Sequence, residues 1–261
     1  MTFLVIDIGN TRLKWGVYAQ AHPEAPLLEQ GAVVLEDIDG LWETTWKHLP
    51  RPQGMLGCVV AGEAIKRRVE EHLSRWGLSP HWLVATSRAG GVINGYDHPH
   101  RLGADRWAAL VGARHESREL GPSKAAALVI MIGTAVTIDA LDSKGHFLGG
   151  SIMPGFGLML RALETGTAGL KVPMGSATEF PTNTSDALTS GGTDAIAGAI
   201  ERSYRRLARR EGSDPLLLMS GGAAPKLLSL AEELPVRFVE HLIFQGLLVL
   251  AHEQALGRET S

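Results

Sequence analysis

Apolar positions arrive in two rhythms along this chain. Unbroken runs such as Phe3–Ile6 and Leu128–Ile132 alternate with stretches where Ala, Leu and Val recur at helical spacing. The runs predict strands at about 3–8, 12–19, 31–35, 56–60, 82–85, 128–132, 135–141, 146–151, 216–219 and 236–239. The helical spacing predicts a helix over Gly103–Ser117 with Asp105 in its first turn. Further helices are expected from about Thr193, after a glycine pair, from about Ala224, after Gly221–Gly222, and over about Glu240–Leu256. Strands mixed with helices in both halves predict an α/β fold.

The strand pattern also repeats. "VIDIGNT" (Val5–Thr11) has an echo in "VIMIGTA" (Val129–Ala135), close to half the chain later. Each copy is an apolar run, a glycine turn with an amide or hydroxyl residue, and an alternating second strand. Seven residues alone would be a coincidence of short strands. The half-chain offset and the matched downstream pattern favour duplication. Two similar lobes are therefore expected, 1–118 and 119–261, divided in the polar, Gly-Pro-containing stretch Glu116–Lys124.

Composition narrows this little. The 261 residues are 44% hydrophobic and 20% charged, with a formal net charge of −3, which predicts no nucleic-acid partner. The arginine-rich "ERSYRRLARR" (Glu201–Arg210) reads as a solvated helix face. Cys58 is the single cysteine, so no internal disulfide forms, and no Cys/His metal spacing is present. No apolar run is long enough to span a bilayer, and the N-terminus enters a strand without a signal-like region. A soluble, cytoplasmic protein without a membrane partner is expected.

Asp7 changes the picture, because a carboxylate inside an apolar strand needs donors or a cation. At the end of its strand it can hold Mg²⁺, which takes one or two carboxylates plus phosphate oxygens. The competing reading is a turn cap. The residues that follow favour the first. Gly9 lets a phosphate approach bare backbone. Asn10 and Thr11 add donors, and Asn10, Arg12 and Lys14 alternate onto one face of the next strand. Gly133 and Thr134 supply a second glycine-hydroxyl turn. Neither a P-loop nor a complete dinucleotide fingerprint occurs. His98 and His100 are read as loop polarity, not metal ligands.

"DIGNTRLK", the second "GTAVTID" hairpin and "SGG" before a late helix together resemble the actin/hexokinase superfamily of ATPases. That resemblance implies a duplicated actin-like, ribonuclease H-like α/β fold, with two similar lobes gripping ATP between phosphate hairpins. "GYDHPHRLGADRWAALVGA" (Gly95–Ala113), "GGSIMPGFGLMLRAL" (Gly149–Leu163) and "NTSDALTSGG" (Asn183–Gly192) further resemble type III pantothenate kinase, over nearly the whole chain.

The resemblance implies phosphorylation of pantothenate by ATP to 4′-phosphopantothenate, the first committed step toward coenzyme A. It casts Asp105 as proton acceptor for the substrate hydroxyl. Tyr96, Gly103, Ala104 and Arg106 would hold pantothenate. Thr184 would reach the site from the neighbouring subunit of a homodimer. Asp7 through Lys14, with Gly133 and Thr134, would hold ATP and its Mg²⁺, with Asp7 the metal ligand. The family also places an aspartate in the second hairpin, tied to a monovalent cation, K⁺ or NH₄⁺; this chain has Met131 there and lacks that ligand. Without the resemblance, Asp105 reads as a helix N-terminal residue favoured by the dipole. Thr184 likewise reads as part of a helix cap. Two rival functions remain open: a regulatory accessory role with ATP as ligand only, as the family's alternative name (Bvg accessory factor) suggests, and a sugar or N-acyl amino-sugar kinase on the same fold.

Overall fold

Leu4, Val5, Ile6 and Ile8 have no exposed surface, so the first apolar run becomes a strand covered on both faces. The computed structural model describes residues 2–119, 126–224 and 235–259. In chain order the elements are β1 (Phe3–Ile8), β2 (Arg12–Tyr18), β3 (Leu27–Val34), α1 (Leu41–Thr44), β4 (Gly54–Val59), α2 (Glu63–Arg75), β5 (Arg88–Ala89), β6 (Val92–Asn94) and α3 (Ala104–Glu119). They continue as β7 (Ala127–Ile132), β8 (Ala135–Leu141), β9 (His146–Pro154), α4 (Phe156–Gly166), α5 (Thr184–Glu211), β10 (Leu216–Ser220), β11 (Val236–Phe238) and α6 (Leu242–Glu259).

The chain divides into two compact units. The first comprises Met1–Glu119, Gly145–Phe147 and His241–Ser261; the second comprises Leu120–Lys144 and Leu148–Glu240. The expected lobes, 1–118 and 119–261, are each continuous in sequence, whereas these units are not. Helix α6 belongs with the first unit because it packs along α3. That packing is close. A Cβ on Gly246 would collide with the Ala108 carbonyl, and one on Gly112 with the Leu242 carbonyl, so glycine at both positions brings the two backbones together.

The sheet of the first unit runs β3-β2-β1-β4, with β1 antiparallel to β2 and parallel to β4. Helix α2 lays Val69 and Leu73 into a core with Leu4, Ile6, Ile8, Leu13 and Trp15. Trp46 and Trp76 stack within it, ring centroids 5.1 Å apart. The β5–β6 hairpin joins the start of β9 through the parallel pairs Ile93↔His146 and Asn94↔Phe147.

In the second unit the strands run β9-β8-β7-β10-β11, with β7 antiparallel to β8 and parallel to β10. This repeats β2-β1-β4, so the sequence echo is an echo of topology. Leu128, Ile130, Ile132, Val136 and Ile138 meet Ile196, Ile200 and Leu207 of α5 in its core.

Several expectations change. Residues 83–85 form no strand; only Trp82 makes a bridge, to Gly57. Helix α5 begins at Thr184, nine residues before the expected start, and continues through Gly191 and Gly192. Helices α2 and α4 lie where no element was expected. The helix expected from about Ala224 lies outside the described residues. The arginines of 201–210 are mostly exposed on α5, with Arg205 paired to Glu201 at 3.0 Å, as a solvated face requires.

Candidate active site

Two hairpin tips carry the repeated glycines. The Gly9 N–H donates to the Arg12 carbonyl at 3.0 Å, and the Gly133 N–H to the Ala135 carbonyl at 3.0 Å. Neither glycine has a positive φ. A Cβ built on either would stand 3.6 Å from its nearest neighbour, an ordinary contact. Neither backbone conformation nor packing within the chain requires glycine there. Both turns instead present bare backbone beside exposed Asn10 and Thr11 in one case and exposed Thr134 in the other. Gly155, in turn, donates to the Thr134 carbonyl at 2.8 Å and secures the second hairpin from behind.

Asp7 occupies a row across three strands. Lys14 is its partner on β2 and Cys58 its partner on β4. The Cys58 thiol donates to Asp7 Oδ1 at 3.3 Å, and both residues are buried. Burial pushes the Asp7 carboxyl from 3.8 up to about 6; Lys14 pulls it down, Asp105 pushes it up, and the Cys58 hydrogen bond pulls it down. Burial, reinforced by the Asp7 and Asp105 charges, pushes the Cys58 thiol well above its ordinary range, so it remains protonated and a donor.

Asp105 sits in the first turn of α3, half-buried, with its Oδ1 accepting the Arg106 N–H at 2.8 Å. Gly103 makes room for this arrangement, since a Cβ there would stand 2.7 Å from Asp105 Oδ1. Burial raises the Asp105 carboxyl above its ordinary range, opposed by the Arg106 backbone bond and guanidinium. The Asp105 charge lies within electrostatic reach of Asp7 and adds to the upward push on its carboxyl.

Beside them lies an aromatic-cation stack. Arg106, buried, donates from Nη1 to the Tyr96 hydroxyl at 2.8 Å. Its guanidinium lies 5.6 Å from the Tyr96 ring centre and 5.8 Å from that of Phe147. The two rings stack, centroids 5.6 Å apart. Asn94 knots the loop beneath: its amide donates to the Thr86 and Pro99 carbonyls, both at 3.1 Å, and its oxygen accepts the Tyr96 N–H at 3.1 Å.

The first unit therefore brings together Asp7, Lys14 and Asp105, and separately joins Tyr96 to Arg106. Gly133, Thr134 and Thr184 belong to the second unit. Thr184 is exposed in the first turn of α5, which Asn183 caps by accepting the Asp186 N–H at 3.0 Å. Cys58, Phe147 and Asn94 were not expected at the site. Their involvement depends on strand register and loop path, for which the sequence carries no local signal. His98 and His100 are exposed, and among the described residues no group of three His, Cys, Asp or Glu is placed to hold a metal ion.

A duplicated strand order, a bare glycine turn on each hairpin and a helix-borne carboxylate define the class: an α/β protein of the duplicated actin-like fold. Solved structures share this fold. A protein from Sinorhizobium meliloti, described as a 2-dehydro-3-deoxygalactonokinase, superposes with a TM-score of 0.62 at 15% identity, covering 97% of this chain and 99% of that one. A conserved protein from Campylobacter jejuni, described as a Baf family transcriptional activator, gives a TM-score of 0.59 at 20% identity, again covering 97% and 99%. At such identities the likeness concerns the fold alone. Sequence narrows the class to one family. The type III pantothenate kinase profile matches residues 3–206. Type III pantothenate kinases of Leptothrix cholodnii and Acidovorax ebreus are 59% and 56% identical, covering 97% and 96% of this chain and 98% and 96% of theirs. This chain belongs to the type III pantothenate kinase family.

Proposed function

We propose that the protein transfers the γ-phosphoryl group of ATP to the primary hydroxyl of pantothenate, giving ADP and 4′-phosphopantothenate. The observation that carries this reading is Asp105, a half-buried carboxylate with a raised pKa at a helix start, next to the Arg106–Tyr96 stack. Phosphoryl transfer needs alignment and charge neutralisation more than covalent help. Asp105 aligns the hydroxyl and takes its proton as the oxygen attacks, a role that suits a carboxyl raised above its ordinary range by burial. Arg106, Tyr96 and the Gly103–Ala104 backbone hold the polar end of pantothenate.

Asp7, Asn10, Thr11, Arg12 and Lys14, with Gly9, Gly133 and Thr134, face the triphosphate. The donor set around Asp7 suits Mg²⁺ arriving with the nucleotide, since hydrated Mg²⁺ needs only one or two carboxylates beyond phosphate oxygens. Bound there, the ion neutralises phosphate charge. Met131 does not suit K⁺ or NH₄⁺, because a thioether is a poor ligand for a hard cation, and no step is assigned to one.

The working form is a homodimer in which Thr184 completes the neighbour's site. Its support is the apolar surface of the second unit, where α4 has no buried residue and Ile152, Met174 and Phe180 are 62%, 71% and 82% exposed. The proposed compartment is the cytoplasm. Among the described residues no helix is long and apolar enough to cross a membrane, and Cys58 is a free buried thiol.

A coupled ADP-release assay with pantothenate, several sugars and N-acyl amino sugars tests the reading. ADP release with pantothenate alone is expected. Release only with a sugar favours a sugar kinase, and release with no acceptor favours a regulatory role.

A further inference from the structure

The single side-chain hydrogen bond to Asp7 among the described residues comes from Cys58. The two belong to neighbouring parallel strands at the same register position, and Lys14 flanks Asp7 from the other side. Cys58 is wholly buried, so no solvent competes for its thiol. A carboxylate at a strand end has a broad, two-fold terminal torsion, and rotation about it exchanges the two oxygens. A donor fixed on the adjacent strand selects one orientation. It occupies Oδ1 and leaves Oδ2 without a side-chain donor.

We propose that Cys58 is a positioning residue for the phosphate-binding hairpin, its thiol fixing the Asp7 carboxylate in the orientation that receives the divalent cation of the nucleotide. The inference rests on the reading that Asp7 faces Mg²⁺ and ATP. A sulfhydryl suits the position because it donates at long range, here 3.3 Å, from an uncharged group small enough for a fully buried strand position. Groups that orient a metal ligand without touching the metal typically change its affinity by about 10–100-fold when removed. For a weak S–H donor the lower end of that range applies.

The test is calorimetric binding of Mg²⁺·ADP, with steady-state kinetics alongside, for wild type and for Cys58→Ala, Cys58→Ser, Asp7→Asn and the Asp7→Asn/Cys58→Ala double variant. Cys58→Ala is expected to weaken Mg²⁺·ADP binding about tenfold and raise the KM for Mg²⁺·ATP, leaving the KM for pantothenate unchanged. Cys58→Ser, which keeps a donor, recovers most of that loss. In the Asp7→Asn background the alanine change has no further effect, because its route runs through Asp7. A merely structural cysteine would lower thermal stability and weaken binding equally in both backgrounds, and that outcome overturns the proposal. So does unchanged Mg²⁺·ADP affinity in folded Cys58→Ala and Cys58→Ser proteins. If Asp7→Asn itself binds Mg²⁺·ADP like wild type, the reading of Asp7 fails instead, whatever Cys58 does.

Discussion

Asp7 carries the clearest conflict between stability and function. Burial, the leading cause, moves its carboxyl from 3.8 to about 6. A raised carboxyl pKa means the folded state binds the proton more tightly than the unfolded state. The associated stability is full below pH 3.8 and is lost as pH rises through about 6. Asp7→Asn removes this sensitivity. Relative to wild type, the variant is expected to gain about 3 kcal/mol of stability between pH 3.5 and pH 7, while binding Mg²⁺·nucleotide measurably but more weakly. Urea melts at the two pH values measure the gain, and an unchanged stability difference contradicts the burial of Asp7. At this scale the sequence was informative where chemistry conflicts with burial: a carboxylate in an apolar run, or a glycine at a strand tip. It was silent on Cys58, which looks like one more apolar residue until strand register sets it beside Asp7.

Helices α3 and α6 show how far a pattern of elements can be pressed. Both were legible from spacing, but their partnership was not. It depends on Gly112 and Gly246, which a sequence reading treats as mild helix weakeners. Gly246→Ala drives a methyl into the Ala108 carbonyl and is expected to destabilise the protein by about 1–3 kcal/mol, measured by denaturant unfolding. A neutral or stabilising result would contradict the close approach.

Helix α5 taught the opposite lesson. Gly191–Gly192 suggested a break, yet a Cβ on Gly192 would stand 3.0 Å from the Phe156 ring, so this glycine makes room for α4. The true start is the Asn183 cap. Side chains on the first turns also hold the preceding segment: Asp186 accepts the Ser176 N–H at 2.8 Å and Ser190 accepts the Thr178 N–H at 2.9 Å. Asn183→Ala is expected to cost about 1 kcal/mol and to speed hydrogen exchange at the first-turn amides of α5. Unaltered exchange there would dismiss the cap. Residues 83–85 failed as a strand because an apolar run satisfies a core as well as a sheet. Trp82 packs against Gly57, and the chain passes on without a ladder.

For the whole molecule, duplication was legible because two hairpins repeat one pattern at a half-chain offset. The discontinuity of the first unit was not, since nothing in a C-terminal helix names its partner. Oligomeric state belongs to this scale. Phe180 and Met174, more exposed than large apolar residues usually are in a monomer, are expected to be covered by a second copy. Sedimentation should find a dimer in the wild type and a shift toward monomer, with loss of activity, in Phe180→Glu. A fully active Phe180→Glu monomer would remove the proposed role of Thr184 from the partner.

On the proposed reading, one carboxylate in the first unit serves the acceptor hydroxyl while the glycine hairpins serve the nucleotide. Transfer of labelled γ-phosphate from ATP to pantothenate, measured beside Mg²⁺·ADP binding in wild type and Asp105→Asn, tests it most directly. Wild type should label pantothenate. Asp105→Asn should lose about 10²–10⁴-fold in the rate of transfer, with nucleotide affinity little changed. Wild-type transfer rates in the Asp105→Asn protein would contradict the account.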